Sequence, residues 1–328
     1  MKAAFINEVG GPDKLIVGEK EIPALSANGV LIRVYTSSIN YIDTYHRSGL
    51  YKLPLPSILG RDGAGIVEKV GENVTYVKPG DRVAFICPGS YAEYVSVDFS
   101  KVVKLPDNLS FSEGVTCMLQ GMTAQYLVRD SYHIKAGDTV LIHAGAGGTG
   151  SILIQLAKKL GARVITTVSS EAKAAIARGH GADVVINYTS PDWPEQVRAA
   201  TEGGKGVHAV YDGVGKSTWE GSMQCCRKLA TVVLFGNASG AVPPIDPLLL
   251  TKYGSIFLTR PTLFDHIETH EDFTSRAEEV FEWVASKALT LTVYAEMPLD
   301  EIRAAHELIE SRAATGKIII RVTEEKQA

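Results

Sequence analysis

A glycine-rich segment at residues 145–150 reads GAGGTG, the G-x-G-x-x-G pattern of dinucleotide-binding turns. A short apolar run before it predicts a strand, and the apolar periodicity of residues 151–160 predicts a helix after it. In that setting Gly145 permits a tight turn, Gly147 lets the backbone approach a pyrophosphate, and Gly150 lets the helix pack on the strand. The N–H groups at the start of the helix would bind phosphate oxygens. The segment therefore predicts a dinucleotide site.

The end of the next predicted strand indicates which dinucleotide is bound. An NADH site would place Asp or Glu there to bind the ribose 2′-hydroxyl. This strand ends in Ser169 and Ser170, with Lys173 shortly after, and hydroxyls with a cation suit a 2′-phosphate. Tyr188, which follows the third strand, is expected to close the same pocket with its phenol. Glu171 is the alternative, as a ribose ligand. Together these residues predict NADPH.

Two patterns of secondary structure divide the chain. Up to about residue 122, short β-rich runs broken by Gly and Pro are typical of an antiparallel, barrel-like unit. Beyond it, strands alternate with helices of about a dozen residues, which is typical of a doubly wound parallel sheet. Six strands are predicted, at residues 139–143, 163–168, 184–187, 209–212, 231–235 and 255–259.

The last part of the chain is expected to return to the first unit. Residues 271–286 and 299–311 predict helices and residues 317–322 a strand, with no linker before them. The domains predicted are therefore residues 1–123 and 263–328, which form a discontinuous catalytic domain, and residues 124–262, which bind the dinucleotide.

Composition excludes several classes of protein. With 328 residues, 45% hydrophobic and 21% charged, the chain can form two folded domains. A net charge of −4 and the lack of a Lys/Arg-rich block argue against nucleic acid as the main partner. No signal-like start and no apolar run near the ~20 residues of a membrane span are present. We expect a cytoplasmic protein.

Cysteines and histidines give little sign of a metal site. The adjacent pair Cys225 and Cys226 is expected inside a helix, with a redox switch as the alternative. His266 and His270 have the spacing of a metal pair but lack a third ligand nearby, so we expect surface histidines. The four cysteines lack paired spacing and are expected to pack as small apolar residues: Cys87, Cys117, Cys225 and Cys226.

Several long motifs extend the pattern beyond the glycine-rich turn. They lie at residues 40–51, 143–148, 211–215, 235–240 and 258–261. With them the sequence resembles the quinone oxidoreductase (zeta-crystallin-like) branch of the medium-chain dehydrogenase/reductase superfamily, especially the bacterial NADPH:quinone oxidoreductases, over nearly the whole chain. The resemblance implies a Rossmann-type domain and a discontinuous, GroES-like β-rich barrel domain.

The resemblance also implies catalysis without a metal. Zinc-dependent members of the superfamily have Cys where this chain has Asn40, and His where it has Arg61, before the acidic residue Asp62. Asn and Arg cannot replace those ligands, and the four-cysteine zinc lobe is missing as well. The chain also departs from the family at Gly213, where Ser is usual.

A set of cofactor contacts follows from the resemblance, in addition to the glycines of the turn. Its members are Tyr41, Tyr45, Tyr126, Gly148, Thr149, Ser169, Lys173, Tyr188, Phe235, Gly236, Asn237, Arg260 and the region of Arg312.

The expected reaction is reduction of a quinone by hydride from NADPH. A quinone accepts hydride readily because its ring becomes aromatic, so the enzyme supplies mainly positioning. Asn40, Tyr45 and Tyr51 are the predicted catalytic residues, and the two phenols would donate hydrogen bonds to quinone oxygen.

Two other functions stay open from the sequence. A reductase of α,β-unsaturated ketones or aldehydes could share this fold and cofactor. An NADPH-binding protein with an RNA-binding or structural role is the alternative of another class, and the acidic balance argues against RNA. The resemblance and the apolar edge strand at residues 255–259 predict a homodimer.

Overall fold

A computed structural model describes residues 1–324. Its strands are β1 (Lys2–Ile6), β2 (Ile16–Glu19), β3 (Gly29–Ile39), β4 (Ser57–Ile58), β5 (Asp62–Val70), β6 (Arg82–Ile86), β7 (Tyr94–Asp98), β8 (Val102–Lys104), β9 (Thr139–His143), β10 (Arg163–Val168), β11 (Val184–Asn187), β12 (Val207–Asp212), β13 (Cys226–Leu234), β14 (Phe257–Thr259), β15 (Val293–Pro298) and β16 (Lys317–Arg321).

The α-helices are α1 (Tyr41–Ser48), α2 (Phe111–Thr116), α3 (Met122–Tyr126), α4 (Gly148–Lys159), α5 (Glu171–Gly179), α6 (Trp193–Ala199), α7 (Trp219–Gln224), α8 (Leu248–Lys252), α9 (His270–Ala285) and α10 (Ile302–Glu310). Two π-helical turns, Cys117–Gly121 and Leu127–Ser131, flank α3. No helix within residues 1–324 has the length and apolar character needed to cross a bilayer.

The chain divides into two compact units. The first contains Met1–Met122 together with the chain from His266 onward, and the second contains Thr123–Asp265.

The first unit is built from antiparallel sheets. Its larger sheet follows the order β15-β16-β3-β5-β6-β8, with β7 also paired to β3, and only β15 and β16 run parallel. The long strand β3 is the centre of this sheet, and its residues are almost all buried. A smaller sheet has the order β2-β1-β4. The predicted return of the C-terminal strand to the first unit is confirmed, since β16 pairs with β3.

The second unit is a six-stranded parallel sheet in the order β11-β10-β9-β12-β13-β14. This is the 3-2-1-4-5-6 order of a Rossmann domain. β10 and β12 are buried along almost their whole length, as expected when helices cover both faces of a sheet. The doubly wound parallel sheet predicted from the sequence is confirmed, with β14 at its edge.

Candidate active site

The glycine-rich turn joins β9 to α4 as predicted. A Cβ atom on Gly145 would collide with the Thr166 hydroxyl, and one on Gly150 would collide with the carbonyl oxygen of Ala144. The residue of this turn with a left-handed backbone conformation is Ala144, whose φ is 54°, whereas none of the glycines at residues 145–150 has a positive φ. Gly147 is the N-cap of α4, and no side chain caps this helix end. The first-turn N–H groups, those of Gly148 and Thr149 included, are thus available to phosphate oxygens.

A buried hydrogen-bond network lies beneath this turn. The two ring nitrogens of His143 lie 2.7 Å from the Thr167 hydroxyl and 3.0 Å from the Ser222 hydroxyl. Ser222 donates to Asp212 at 2.8 Å, so its oxygen accepts from Nε2–H of His143. Burial lowers the pKa of His143, which keeps the imidazole neutral with Nδ1 accepting from Thr167. The network ties β9, β10, β12 and α7 together.

Asp212 also holds the loop that follows β12. Its Oδ1 accepts the backbone N–H groups of Val214 at 2.8 Å and Gly215 at 3.0 Å. A Cβ atom on Gly213 would lie 2.8 Å from the ring of Phe235. The glycine at this position, where the family usually has Ser, therefore makes room for an aromatic ring at the end of β13.

The residues predicted to bind a 2′-phosphate meet at one edge of the sheet. Ser169 and Ser170 follow β10, and Tyr188 follows β11. The two strands are in register to their ends, so these residues lie side by side. Ser170 caps α5 by accepting from the backbone N–H of Lys173 at 3.4 Å, and the Lys173 side chain is half-buried.

The alternative ribose ligand, Glu171, points elsewhere. Its carboxylate pairs with Arg178 at 2.5 Å on the exposed face of α5. This arrangement favours the hydroxyls and Lys173 as the cofactor-binding groups at this edge.

The remaining predicted contacts of the second unit lie on different elements. Phe235, Gly236 and Asn237 follow β13, and Arg260 follows β14, so they share the carboxyl-terminal edge of the sheet with the glycine-rich turn. Tyr126 belongs to α3, is buried, and has a raised pKa because of that burial.

In the first unit, α1 brings the predicted tyrosines together. Tyr45 is buried, and its ring centroid lies 5.2 Å from that of Tyr51 and 6.3 Å from that of Tyr41. Gly49, with φ of 84°, ends α1 and turns the chain so that the N–H of Tyr51 bonds to the carbonyl of Tyr45 at 3.1 Å. The left-handed conformation favours glycine there.

Tyr41 and Arg312 meet at the end of α10. The Tyr41 hydroxyl donates to the carbonyl of Ile309 at 3.0 Å. The backbone N–H of Arg312, whose φ is 59°, bonds to the same carbonyl at 3.1 Å. The structure thus brings these two predicted cofactor contacts to one place in the first unit.

Asn40 is enclosed in a buried polar cluster. Its amide nitrogen donates to Asp62 at 3.0 Å and to the Ser38 hydroxyl at 3.3 Å, and its oxygen accepts from Lys317 at 2.6 Å. Lys317 also lies 3.4 Å from Asp62, and both side chains are fully buried. Both N–H bonds of the amide are used inside the fold, and the catalytic role expected of Asn40 stays a prediction.

Lys317 was missed by the sequence reasoning. Its partners Asn40 and Asp62 are 277 and 255 residues away in sequence, so no local pattern connects them. The available signal was a lysine that opens the apolar run of β16. Burial lowers the pKa of Lys317, and Asp62 and Asp43 counteract that effect.

A second group of polar residues lies beside Tyr51. Arg61 donates to Nε2 of His46 at 2.6 Å, and the His46 ring packs edge-on against Tyr51 with centroids 5.8 Å apart. Burial and Arg61 lower the pKa of His46 to about 4, so the ring is neutral and can accept. Asp43 accepts from Tyr91 at 3.0 Å, and burial raises its pKa to about 7. Arg61 thus places positive charge near the predicted substrate residues.

These residues do not fit a bound zinc ion. The resemblance places Asn40 and Arg61 where zinc-dependent members have ligands, and the ammonium of Lys317 contacts Asn40 directly. Arg and Lys cannot ligate zinc and would repel it. Within residues 1–324, no group of three or more His, Cys, Asp or Glu side chains is placed to hold a metal ion.

The cysteine prediction needs one correction. Cys225 is the residue after α7 and Cys226 opens β13, so neither lies inside a helix. The helix ends at Gln224 because the chain turns there into the sheet. Both thiols are buried, and burial raises their pKa. His270 packs against the rings of Tyr76 and Phe99 and is half-buried, whereas a surface position was expected.

Comparison with known proteins identifies the family. Residues 26–107 match the alcohol dehydrogenase GroES-like domain family, and residues 148–286 match the zinc-binding dehydrogenase family. Quinone oxidoreductase 1 of Escherichia coli is 41% identical, covering 95% of this chain and 96% of that protein. A 2-haloacrylate reductase of Burkholderia is 38% identical, covering 97% of this chain and 98% of that protein.

Solved structures give the same result. A mycobacterial protein complexed with NADPH superposes with a TM-score of 0.96 at 42% identity, covering 98% of this chain and 100% of that chain. The Escherichia coli quinone oxidoreductase complexed with NADPH gives a TM-score of 0.95 at 39% identity, with the same coverage. The chain belongs to the quinone oxidoreductase family of the medium-chain dehydrogenase/reductase superfamily.

Proposed function

We propose that this protein is an NADPH-dependent quinone reductase that works without a metal ion. The observation that carries the proposal is the sheet edge where the uncapped glycine-rich turn, the hydroxyls of Ser169 and Ser170, and Lys173 lie together. Relatives about 40% identical over most of the chain are named quinone oxidoreductases, and two neighbouring structures contain NADPH.

NADPH, when bound, supplies the hydride. The chain's own residues bind and orient: the first turn of α4 receives the pyrophosphate, and Ser169, Lys173 and Tyr188 receive the 2′-phosphate. The other proposed contacts with NADPH come from both units. On the second unit they are Phe235, Gly236, Asn237, Arg260 and Tyr126, and on the first unit they are Tyr41, Tyr45 and Arg312.

We assign substrate binding to the group around Tyr51. Its phenol is a hydrogen-bond donor for a quinone oxygen, and Arg61 adds a positive charge beside it. Negative charge develops on that oxygen as hydride arrives, so donors fixed in advance lower the barrier. The buried cluster of Asn40, Asp62 and Lys317 links the ends of β3, β5 and β16 next to the start of α1. We propose that it thereby fixes the positions of Tyr45 and Tyr51.

A second candidate function is reduction of an activated carbon–carbon double bond. The 2-haloacrylate reductase at 38% identity favours it. Both kinds of substrate have a carbon–carbon double bond conjugated to a carbonyl or carboxylate group, and both are reduced by two electrons and two protons in total. Steady-state NADPH oxidation with a panel of ortho- and para-quinones beside enones and 2-haloacrylates separates the two. Higher kcat/KM for the quinones supports our first proposal, and the reverse order supports the second.

We further propose that the protein is a cytoplasmic homodimer. Its four cysteines are free thiols, which suits a reducing compartment. At the edge strand β14 the side chain of Phe257 is 61% exposed, and pairing of two such edges would cover it. Residues 1–123 and 263–328 are the proposed substrate domain, and residues 124–262 the NADPH domain.

A further inference from the structure

A basic pocket lies at the edge of the second unit opposite the glycine-rich turn. It has a volume of about 510 Å³ and is formed at the amino-terminal ends of β12, β13 and β14. The glycine-rich turn follows the carboxyl-terminal end of β9 in the same parallel sheet. The pocket is therefore separate from the proposed cofactor site. Its volume is within the range of about 300–1,000 Å³ that is usual for small-molecule sites.

The pocket is lined by five positive side chains, and no Asp or Glu is found among its described lining residues. The basic residues are Arg198, Lys205, Arg227, Lys228 and Lys252. The whole protein carries a net charge of −4, so this concentration of positive charge does not follow from composition. Such a pocket attracts anions.

Arg198 lines the pocket and is held by backbone carbonyl groups. Its guanidinium donates to four backbone carbonyls, those of Gln224, Cys226, Gly204 and Lys205, at 2.8 to 3.3 Å. It fixes the segments before β12 and β13 against each other and has little capacity left for a ligand. Arg198 is therefore a structural part of the site.

The lysines are the groups that face a ligand. Lys205, Lys228 and Lys252 are exposed, and none of them forms an ion pair with another residue in the described part of the chain. Lys252 lies over the ring of the half-buried Tyr253, 5.3 Å from its centroid. The three lysines come from three separate chain segments, and all three line the same pocket.

The backbone at the pocket is held in an unusual conformation. Leu229 and Ser255 are non-glycine residues in the left-handed region, with φ of 62° and 55°. They directly follow Lys228 and Gly254, and the N–H of Leu229 bonds to the carbonyl of Gly254 at 2.9 Å. Such strain costs free energy and persists only where the surroundings enforce it. The backbone on either side of the pocket, at Lys228–Leu229 and at Gly254–Ser255, is thus held together by a hydrogen bond.

We infer that this pocket binds a small molecule that carries two or more phosphate groups. Phosphate oxygens accept strong, charge-assisted hydrogen bonds from ammonium groups, and multiple phosphates match the three separate lysines. Tyr253 offers an apolar wall for the rest of the ligand. The site is independent of the proposed quinone reductase activity.

The test is calorimetric titration of the NADPH-saturated protein with sodium tripolyphosphate, so that the cofactor site is already filled. We expect binding to the wild type, and for K228Q/K252Q a dissociation constant about tenfold or more higher, because two charge-assisted contacts are lost. K159Q is the matched control, since Lys159 is exposed on α4 of the same unit and lies outside the pocket. It should bind tripolyphosphate as the wild type does.

Three results would overturn the inference: no binding of tripolyphosphate, equal affinity for K228Q/K252Q and wild type, or equal weakening in K159Q. Unchanged NADPH affinity and thermal unfolding midpoint in both variants show that they fold. Titrations with a short single-stranded RNA and with phosphatidylglycerol vesicles form the other arms. If the RNA or the vesicles bind more tightly than tripolyphosphate, and K228Q/K252Q weakens that binding, then the pocket binds this larger polyanion and the small-molecule assignment is wrong.

Discussion

The residues proposed to select the cofactor lie in one short segment, residues 169–173, together with Tyr188. Ser170 caps α5, Glu171 pairs with Arg178, and Lys173 is left half-buried at the edge of the sheet. A carboxylate at that edge would repel a 2′-phosphate, whereas an ammonium group attracts it. We therefore propose that the choice of NADPH depends mainly on the charge of Lys173.

We expect Lys173→Ala to weaken NADPH binding about tenfold or more, because a charge-assisted contact contributes roughly 1.5 to 3 kcal/mol. NADH affinity should hardly change, since NADH has no 2′-phosphate. Fluorescence titration of both cofactors measures this. Lys159→Ala serves as a matched control from the neighbouring helix α4. An equal loss for NADH and NADPH would show that Lys173 acts on the fold and not on the phosphate.

Tyr51 is the residue on which substrate activation is proposed to depend. Tyr51→Phe retains the ring that packs on Tyr45 and His46 but removes the hydroxyl. It should lower quinone kcat by an amount equivalent to about 1 to 3 kcal/mol, if that hydroxyl stabilises charge on the quinone oxygen. Tyr51→Ala should in addition raise KM for quinone, and NADPH affinity should survive both changes. If Tyr51→Phe turns over like the wild type while Tyr51→Ala is inactive, the residue serves only for packing.

At the scale of elements, α1 is anchored to α10 by buried charge. Arg47 of α1 is buried and pairs with Glu310 of α10 at 2.6 Å, and it also donates to Nδ1 of His306 at 3.1 Å. Burial and the charge of Arg47 lower the pKa of His306 to about 3. The helix that carries Tyr45 is thereby fixed through a histidine that must stay neutral.

This anchoring makes stability depend on pH. The folded pKa of His306, about 3, is below the ordinary value of 6.5, so the unfolded chain binds more protons between these values. Stability should therefore fall as pH drops from 6.5 toward 3. This histidine changes the free energy of unfolding by up to about 1.4 kcal/mol per pH unit, and the His306→Asn variant should lack that pH dependence. Urea unfolding at several pH values measures the difference, and parallel pH profiles for variant and wild type would refute the assignment.

Sequence reasoning located the elements of the second unit well because strong local signals define them. β9, β10 and β11 have the predicted bounds, since each is an apolar run with polar or glycine ends. The short helix α8 was not predicted, because five residues give little periodicity, and the helix expected around Cys225 and Cys226 ends earlier, at Gln224. The first residues of β12 and β13 were missed for a different reason. Lys205 lies just before β12, Arg227 and Lys228 lie near the start of β13, and such charged residues are typical of loops.

The candidate site was only partly predictable from sequence. The glycine-rich turn and the Ser169 to Lys173 segment are local, and so were predicted. The Asn40–Asp62–Lys317 cluster depends on contacts between distant parts of the chain, and the pairing of Arg61 with His46 joins residues that are 15 positions apart. The predicted family and fold are confirmed by the comparisons, whereas the individual roles of the site residues stay predictions.

At the scale of the whole molecule, the exposed edge strand predicts assembly. We expect Phe257→Glu to convert a homodimer into a monomer, because it places a charge on the apolar edge of β14. Light scattering at micromolar concentration measures the mass. Leu248→Glu is the control, since Leu248 is also apolar and exposed but lies on α8. A wild-type monomer would contradict the proposal directly.

The central claim is that this chain transfers hydride from NADPH to a quinone without a metal ion. The most direct test is a single-turnover reaction of the protein, with its metal content measured, with NADPH and 1,4-naphthoquinone. A second sample contains NADPH deuterated at the transferred position, and a third contains a strong chelator. We predict one hydroquinone formed per NADPH consumed, a slower reaction with the deuterated cofactor, and no effect of the chelator. Two results would contradict the account. One is a protein that binds NADPH but does not reduce the quinone, and the other is a protein that contains one zinc ion per chain and loses its activity when the chelator removes the zinc.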